Sequence, residues 1–393
     1  MRRFSTSELL ARWGARLTLL ALAGCVEPYV PDVINAPNTF LVVDGFINGN
    51  GRSAFLLSRT TNVAATTAPP AEPGASVAIT DDAGGRYPLR ETVPGTYQSD
   101  SLVLNAGRQY QLRITTSANA GYESDPVPLK VTPPIDKLGW QLSGDQLQVQ
   151  LSTHDPAGQA RYYRWGAVET WQFNAGVRSF LEYYPHPIVG QSTIDGRTTP
   201  IYTCWRTEQP TAIKQGTSAA LSQDAIANAI VLSFSSRAER LIVRYSVLVS
   251  QAAETADEFA YRELLRKNTE AVGTVNDPLP TQLTGNVHRV GQASEPVLGF
   301  VGAHTVQYQR LFINRAELPF PKDWQFDSPY QQCVVGELRF CDLNGKCDFP
   351  AVIAVLKLPN SIPVDNSPNG YYVTSADCAD CRLRGTTVQP SFW

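Results

Sequence analysis

Apolar and polar residues alternate with period two along several stretches of this chain, and Gly, Pro, Asn or Asp clusters end each stretch. Side chains alternate across a strand but not around a helix, so the pattern calls for many short strands joined by turns and excludes a helical bundle. Leu41-Val42-Val43-Asp44-Gly45-Phe46-Ile47 reads as a strand, Asn48-Gly49-Asn50-Gly51 as a hairpin turn, and Ser53 to Thr60 as the returning strand. Gln109-Tyr110-Gln111-Leu112-Arg113-Ile114-Thr115 and Leu147-Gln148-Val149-Gln150-Leu151 alternate as cleanly. Composition agrees: 28 Gly and 28 Pro supply turns, 16 Tyr and 15 Phe suit strands, and 43% apolar residues suffice for real cores.

The fold class expected is mainly β: tandem immunoglobulin/fibronectin-like β-sandwich domains with one inserted α-helix and a disulfide-bridged C-terminal tail. The first sandwich spans 38–133, with a loop at 61–76 rich in Ala, Thr and Pro. Val131-Thr132-Pro133-Pro134-Ile135-Asp136 is the expected boundary, stiffened by two prolines and crossed by few contacts. A second β-sandwich domain covers 134–318. Its densest strand puts Tyr163, Trp165, Ala167, Glu169, Trp171 and Phe173 on one face. A helix is expected over about 255–272, because Thr255-Ala256-Asp257-Glu258 is a capping box and Gly273 closes the pattern. Residues 319–393 form a Cys-rich, loop-rich tail.

The amino end reads differently. Met1-Arg2-Arg3, Arg12 and Arg16 precede the apolar run Leu17-Thr18-Leu19-Leu20-Ala21-Leu22, which is too short to span a membrane. Leu22-Ala23-Gly24-Cys25 matches the bacterial lipobox. Residues 1–24 are therefore expected to be a signal peptide, and Cys25 the site of lipidation. Three prolines within 25–37 favour an extended tether. The leader carries four Arg and one Glu, so the formal charge of −3 becomes −6 in the mature chain. That sign disfavours nucleic acid as a partner and leaves the N-terminal lipid as the membrane contact. Val26 stands where an Asp would mark inner-membrane retention in some Gram-negative bacteria. Outer-membrane sorting is expected, facing either the cell surface or the periplasm.

Export also decides how the remaining six cysteines are read. Cys204, Cys333, Cys341, Cys347, Cys378 and Cys381 are an even set in an oxidising compartment, and three bridges are expected among fifteen possible connectivities. Cys378-Ala379-Asp380-Cys381 has the spacing of half a zinc site or a redox pair, but structural bridging is preferred. Glu169 is a carboxylate on an apolar face, and buried it must find donors or stay protonated. A core arginine or backbone amides are the preferred partners, with a ligand or acid/base role as the alternative. Asp81 and Asp82 precede glycines and read as turn chemistry. Asp342-Leu343-Asn344-Gly345 only loosely resembles a calcium loop and lacks the later ligands. No metal and no cofactor is expected.

Several fragments in order resemble the lipoprotein family carrying domain of unknown function 4249. They are Cys25 with its tether, Leu41-Val42-Val43-Asp44-Gly45, Tyr162-Tyr163-Arg164-Trp165, Glu169-Thr170-Trp171, Asp277-Pro278-Leu279-Pro280, Gly285-Asn286-Val287, Glu295-Pro296-Val297-Leu298-Gly299, Cys378-Ala379-Asp380-Cys381-Arg382 and the final Phe392-Trp393. The tail departs from the family in carrying Arg384-Gly385 where two glycines are usual. The resemblance implies an envelope lipoprotein often encoded beside a TonB-dependent outer-membrane transporter, with no settled activity and so no catalytic residues to carry over. The expected function is a non-catalytic accessory or substrate-binding partner of such a transporter in nutrient uptake. The alternative is a surface adhesion or glycan-binding protein using Tyr183, Tyr184 or Trp205. An enzyme is not expected, since the chain has neither Gly-x-Ser-x-Gly nor His-Glu-x-x-His, and its four His are far apart.

Overall fold

A computed structural model of the protein describes residues 39–61, 66–185, 193–270, 285–342 and 344–393. Cys25 with its leader and tether, His186, Gly273, the Asp277-Pro278-Leu279-Pro280 fragment and Leu343 lie outside the described residues.

The chain is mainly β, in several sheets. Its first strands are β1 (Leu41–Asn48), β2 (Arg52–Arg59), β3 (Ser76–Asp81), β4 (Arg86–Val93), β5 (Thr96–Ser101), β6 (Gln109–Thr115), β7 (Gly121–Ser124) and β8 (Val127–Pro128). Alternation does its work here. Leu41, Val43 and Ile47 of β1 and Phe55 and Leu57 of β2 all point inward and are fully buried. These strands form one sheet that curls until its sides face each other across the core. Residues 127–130 close the curl: β8 pairs with β6, and Lys130 then bridges to His304, beside β1.

The second module contains β9 (Ile135–Ser143), β10 (Gln146–His154), β11 (Tyr162–Asn174), β12 (Leu181–Tyr184), β13 (Thr193–Gly196), β14 (Thr203–Glu208), β15 (Lys214–Thr217), β16 (Ala225–Ser235) and β17 (Arg244–Glu254). Helix α1 (Ala256–Glu270) follows, then β18 (Val287–Arg289), β19 (Ala303–His304) and β20 (Val306–Asn314). A three-stranded sheet, β16-β10-β9, faces a larger one in the order β14-β11-β17-β20, with β15 also on β11. Between them lie Leu147, Val149 and Leu151 of β10, Tyr163, Trp165, Trp171 and Phe173 of β11, and Tyr245, Val247 and Val249 of β17. Each fully buried side chain of this size contributes roughly 1.5–3 kcal/mol.

Two features of the expected domain plan change. The stretch 285–304, expected in the second domain, belongs to the first: β18 pairs with β7, β19 pairs with β1, and Val287, Val297, Val301 and Ala303 enter the first core. Asn286 clamps this returning stretch, donating to Val301 O at 3.0 Å and accepting from Val301 N at 2.8 Å. Gly285 is required beside it, because a Cβ there would stand 1.6 Å from Gly299 O. The boundary at 131–136 is also not sparsely contacted. Thr132 N donates to Thr305 Oγ1 at 2.8 Å, Thr132 Oγ1 donates to Thr305 O and accepts from Ala253 N, and Gln251 Nε2 donates to Pro133 O at 2.9 Å. The chain crosses between modules more than once, and the crossings are stitched to each other.

The tail adds β21 (Gly336–Arg339), α2 (Phe349–Leu356), β22 (Ser361–Ser367), β23 (Gly370–Ser375) and α3 (Ala376–Ala379), with a small sheet ordered β21-β23-β22. Its bridges are Cys204–Cys381, Cys333–Cys378 and Cys341–Cys347. The first fastens the tail to β14 of the second module. Trp393 docks against Trp205 and Phe312, with the Arg244 guanidinium over its ring.

Candidate functional site at the module junction

The most unusual chemistry lies where the modules meet. β11 supplies Arg164, β17 ends in Glu254, the first turn of α1 supplies Glu258 and the second Arg262, and His304 is the last residue of β19. Glu254 is 0% exposed, Glu258 1% and His304 0%. Arg164 Nε donates to Glu254 Oε1 at 2.8 Å, and Gln215 Nε2 donates to Glu254 Oε2 at 2.8 Å. Arg262 Nε lies 2.9 Å from the same Glu254 Oε1, out of line for a hydrogen bond, while its Nη2 donates to Glu258 Oε1 at 3.2 Å. His304 stacks on Phe46 of β1, centroids 4.3 Å apart, and Arg164 covers the other reach of that ring at 5.5 Å.

Two arginines and two carboxylates cancel in charge, which is what makes their burial tolerable. Burial alone would raise the Glu258 carboxyl, but His304, Arg262 and Arg164 outweigh it and hold it down at about 2. Burial and the repulsion of Arg262 push the Arg164 guanidinium below its ordinary value. Arg262 moves the other way: burial opposes its charge, and Glu258 and Glu254 more than offset that. His304 is frustrated. Its Nε2 is 3.5 Å from Arg164 Nη2, which can only donate, and 3.7 Å from Glu258 Oε1, which can only accept. Its Nδ1 is buried with no partner in either case. The Cβ of any residue replacing Gly302 would sit 2.0 Å from Glu258 Oε2, so the backbone of the returning stretch also walls the carboxylate.

Glu169, the carboxylate singled out in the sequence, is 3% exposed and lies elsewhere, near the middle of β11. It accepts from Tyr245 Oη at 2.7 Å and pairs with Arg240, whose guanidinium stands 4.9 Å from the rings of both Trp171 and Phe234. Its arginine partner is itself only half-buried, at the edge of the second core. Cys378 and Cys381 bond to different partners, so their spacing makes neither a redox pair nor half a metal site. Asp81 accepts from Ala83 N and Gly85 N, and Asp342 from Asn344 N and Lys346 N; both organise turns. Trp205 meets Trp393 edge-on, and Tyr184 Oη is engaged with Glu182, Gly196 and Thr198. Among the described residues no group of three or more His, Cys, Asp or Glu is arranged to hold a metal ion, and no helix is long and apolar enough to cross a membrane.

Sequence reasoning missed the junction cluster. Its one local signal is the capping box. Glu258 N does donate to the capping Thr255 Oγ1 at 3.2 Å, but the Glu258 side chain turns to Arg262 and His304 rather than back to the helix start. Glu258 is also the only buried residue among those of α1 whose burial is described, on a helix whose sequence promises an apolar stripe.

The sequence profile of a family described as Domain of unknown function (DUF4249) matches residues 26–310. No curated protein matches the chain. Among solved structures, the adhesin InvE of Yersinia pseudotuberculosis is 11% identical over 85% of this chain and 73% of its own, with a TM-score of 0.13. A likeness at that level carries no argument about fold or function.

Proposed function

We propose, since this chain belongs to the DUF4249 family, that it is a non-catalytic, outer-membrane lipoprotein that serves a TonB-dependent β-barrel transporter in nutrient uptake, as accessory or substrate-binding partner. The lipobox at Cys25 and the ordered family fragments support the anchor and the setting. The observation that carries the mechanical part is the stitched junction. A tethered body helps a barrel only if it holds its contact surfaces in fixed relation, and a floppy linker between modules would dissipate that relation. Here the linker is hydrogen-bonded on both sides, and Arg164 of the buried cluster reaches across to lie over the Phe46 ring of the first module. The role asked of the chain is therefore presentation, not chemistry: Cys25 sets the distance from the bilayer, and the rigid pair of modules sets the orientation.

Affinity purification of the tagged chain from cross-linked envelopes in mild detergent tests this. A TonB-dependent barrel in comparable amount is expected, and its yield should fall when Cys25→Ser removes the acylated thiol. Recovery of the chain without any such barrel would refute the reading.

A further inference from the structure

Four separated stretches meet where the chain enters the first module. Thr39 and Phe40, Arg59, the turn from Thr116 to Tyr122, and the returning stretch 289–296 line an open surface cavity of about 540 Å³. That size falls within the range of small-molecule sites. Its charges pair off internally. Arg59 Nε donates to Glu72 at 2.6 Å, Arg289 pairs with Glu295, and Tyr122 Oη donates to Glu295 Oε1 at 2.7 Å. Burial opposes the charge of Glu295, yet Tyr122 and Arg289 hold its carboxyl below the usual range, so it stays an acceptor. With two guanidinium groups and two carboxylates cancelling, a simple anion or cation gains little net attraction.

Gln292 and Ser294 stand exposed on the rim, and their side chains make no hydrogen bond among the described residues. Phe40 and Pro296 add an apolar wall. We infer that this cavity binds a sugar. A hydroxyl both donates and accepts, so a row of them matches alternating guanidinium, carboxylate, amide and hydroxyl groups that no single ion can satisfy. The C–H face of the ring packs against Phe40 and Pro296. The transporter partnership is not needed for this site. Two sources share the chemistry: the carbohydrate of a membrane glycolipid, and a free oligosaccharide. Cys25 lies fourteen residues before Thr39, which keeps the cavity within ~50 Å of a bilayer once the thiol is acylated. That favours the glycolipid, and only this choice of source rests on the acylation proposed above.

The test uses the full mature chain in detergent on a printed array of microbial oligosaccharides, with lipopolysaccharide micelles and their delipidated core oligosaccharide as separate arms. Binding is expected in at least one arm, and Gln292→Ala/Ser294→Ala should weaken it about tenfold or more, the scale of one or two lost hydrogen bonds, without moving the thermal melt. A preference for micelles over core oligosaccharide that Gln292→Ala/Ser294→Ala abolishes identifies the glycolipid, and equal binding identifies the free sugar. No binding in any arm, or binding that the double variant retains in full, overturns the inference.

Discussion

Replacing Glu258 by Gln keeps the volume of the side chain and removes one of the two carboxylates at the junction. What remains is Arg164 and Arg262 facing Glu254 alone, an excess buried positive charge beside His304. Two estimates of the cost agree. Removing one partner of a buried ion pair costs about 3–5 kcal/mol. The carboxyl itself is held at about 2 against an ordinary 4.5, which by linkage is worth on the order of 3 kcal/mol at neutral pH. The sign follows from the direction of that shift. A carboxyl depressed in the folded state adds stability that is complete above its ordinary value and is lost as pH falls toward its folded one. The gap between the parent and Glu258→Gln should therefore be near 3 kcal/mol at pH 7, about half that at pH 3, and close to nothing by pH 2.

Urea unfolding at a series of pH values measures this. The first module has no Trp, while Trp140, Trp165 and Trp171 lie in the second, so Trp fluorescence against far-UV dichroism also shows whether the modules separate before they unfold. Glu258→Gln/Arg262→Met, which restores charge balance, should recover part of the loss. A Glu258→Gln chain within about 0.5 kcal/mol of the parent at pH 7 refutes the reasoning, since surface charges change stability by no more than that. A gap that stays constant from pH 7 to pH 3 also refutes it, because packing damage would not titrate.

Gly302→Ala should destabilise by roughly 1–3 kcal/mol, measured in the same urea series, because the new methyl must displace the Glu258 carboxylate it would otherwise touch at 2.0 Å. Glu169→Gln should cost about 1–3 kcal/mol by thermal melting, as Arg240 keeps its rings but is left with only the more distant Glu208 carboxylate at 4.0 Å, and Arg240→Met in that background should cost less than Arg240→Met alone. Graded reductant followed by thiol labelling and mass spectrometry should open Cys341–Cys347 first, since Cys347 is exposed, and Cys204–Cys381 last, since both of its residues are 0% exposed.

Legibility followed the range of the interaction. Strand alternation placed Glu169 inside from its own neighbours alone, because the inward set from Tyr163 to Phe173 is contiguous. It could demand a donor for Glu169 but not name Arg240, 71 residues away. The cysteines show the same limit. Their even number in an exported chain points to bridges, yet Cys378 and Cys381 part to Cys333 and Cys204, a choice set by the fold of the tail and absent from their spacing. At the junction each residue has an adequate local explanation: Glu258 as a capping residue, Arg164 as one of a strand's outward charges, His304 as a lone histidine. The pairing of β11 with β17 gathers the arginines and carboxylates, and the return of 285–304 to the first sheet adds His304.

The linker shows why a local rule can point the wrong way. Pro133 and Pro134 offer no N–H, which makes 131–136 look like a segment with little to bond. The same prolines keep their carbonyls, and a buried carbonyl still needs a donor. In this fold the donors are side chains of the second module: Gln251 Nε2 for Pro133 O and Thr153 Oγ1 for Pro134 O, both at 2.9 Å. Gln251 is in turn held by Trp165 Nε1 at 2.9 Å, inside the second core. Removing N–H groups from a linker thus does not free it. It moves the demand for hydrogen bonds onto polar side chains of the neighbouring sheet, and meeting that demand fixes the linker to the module it leads into.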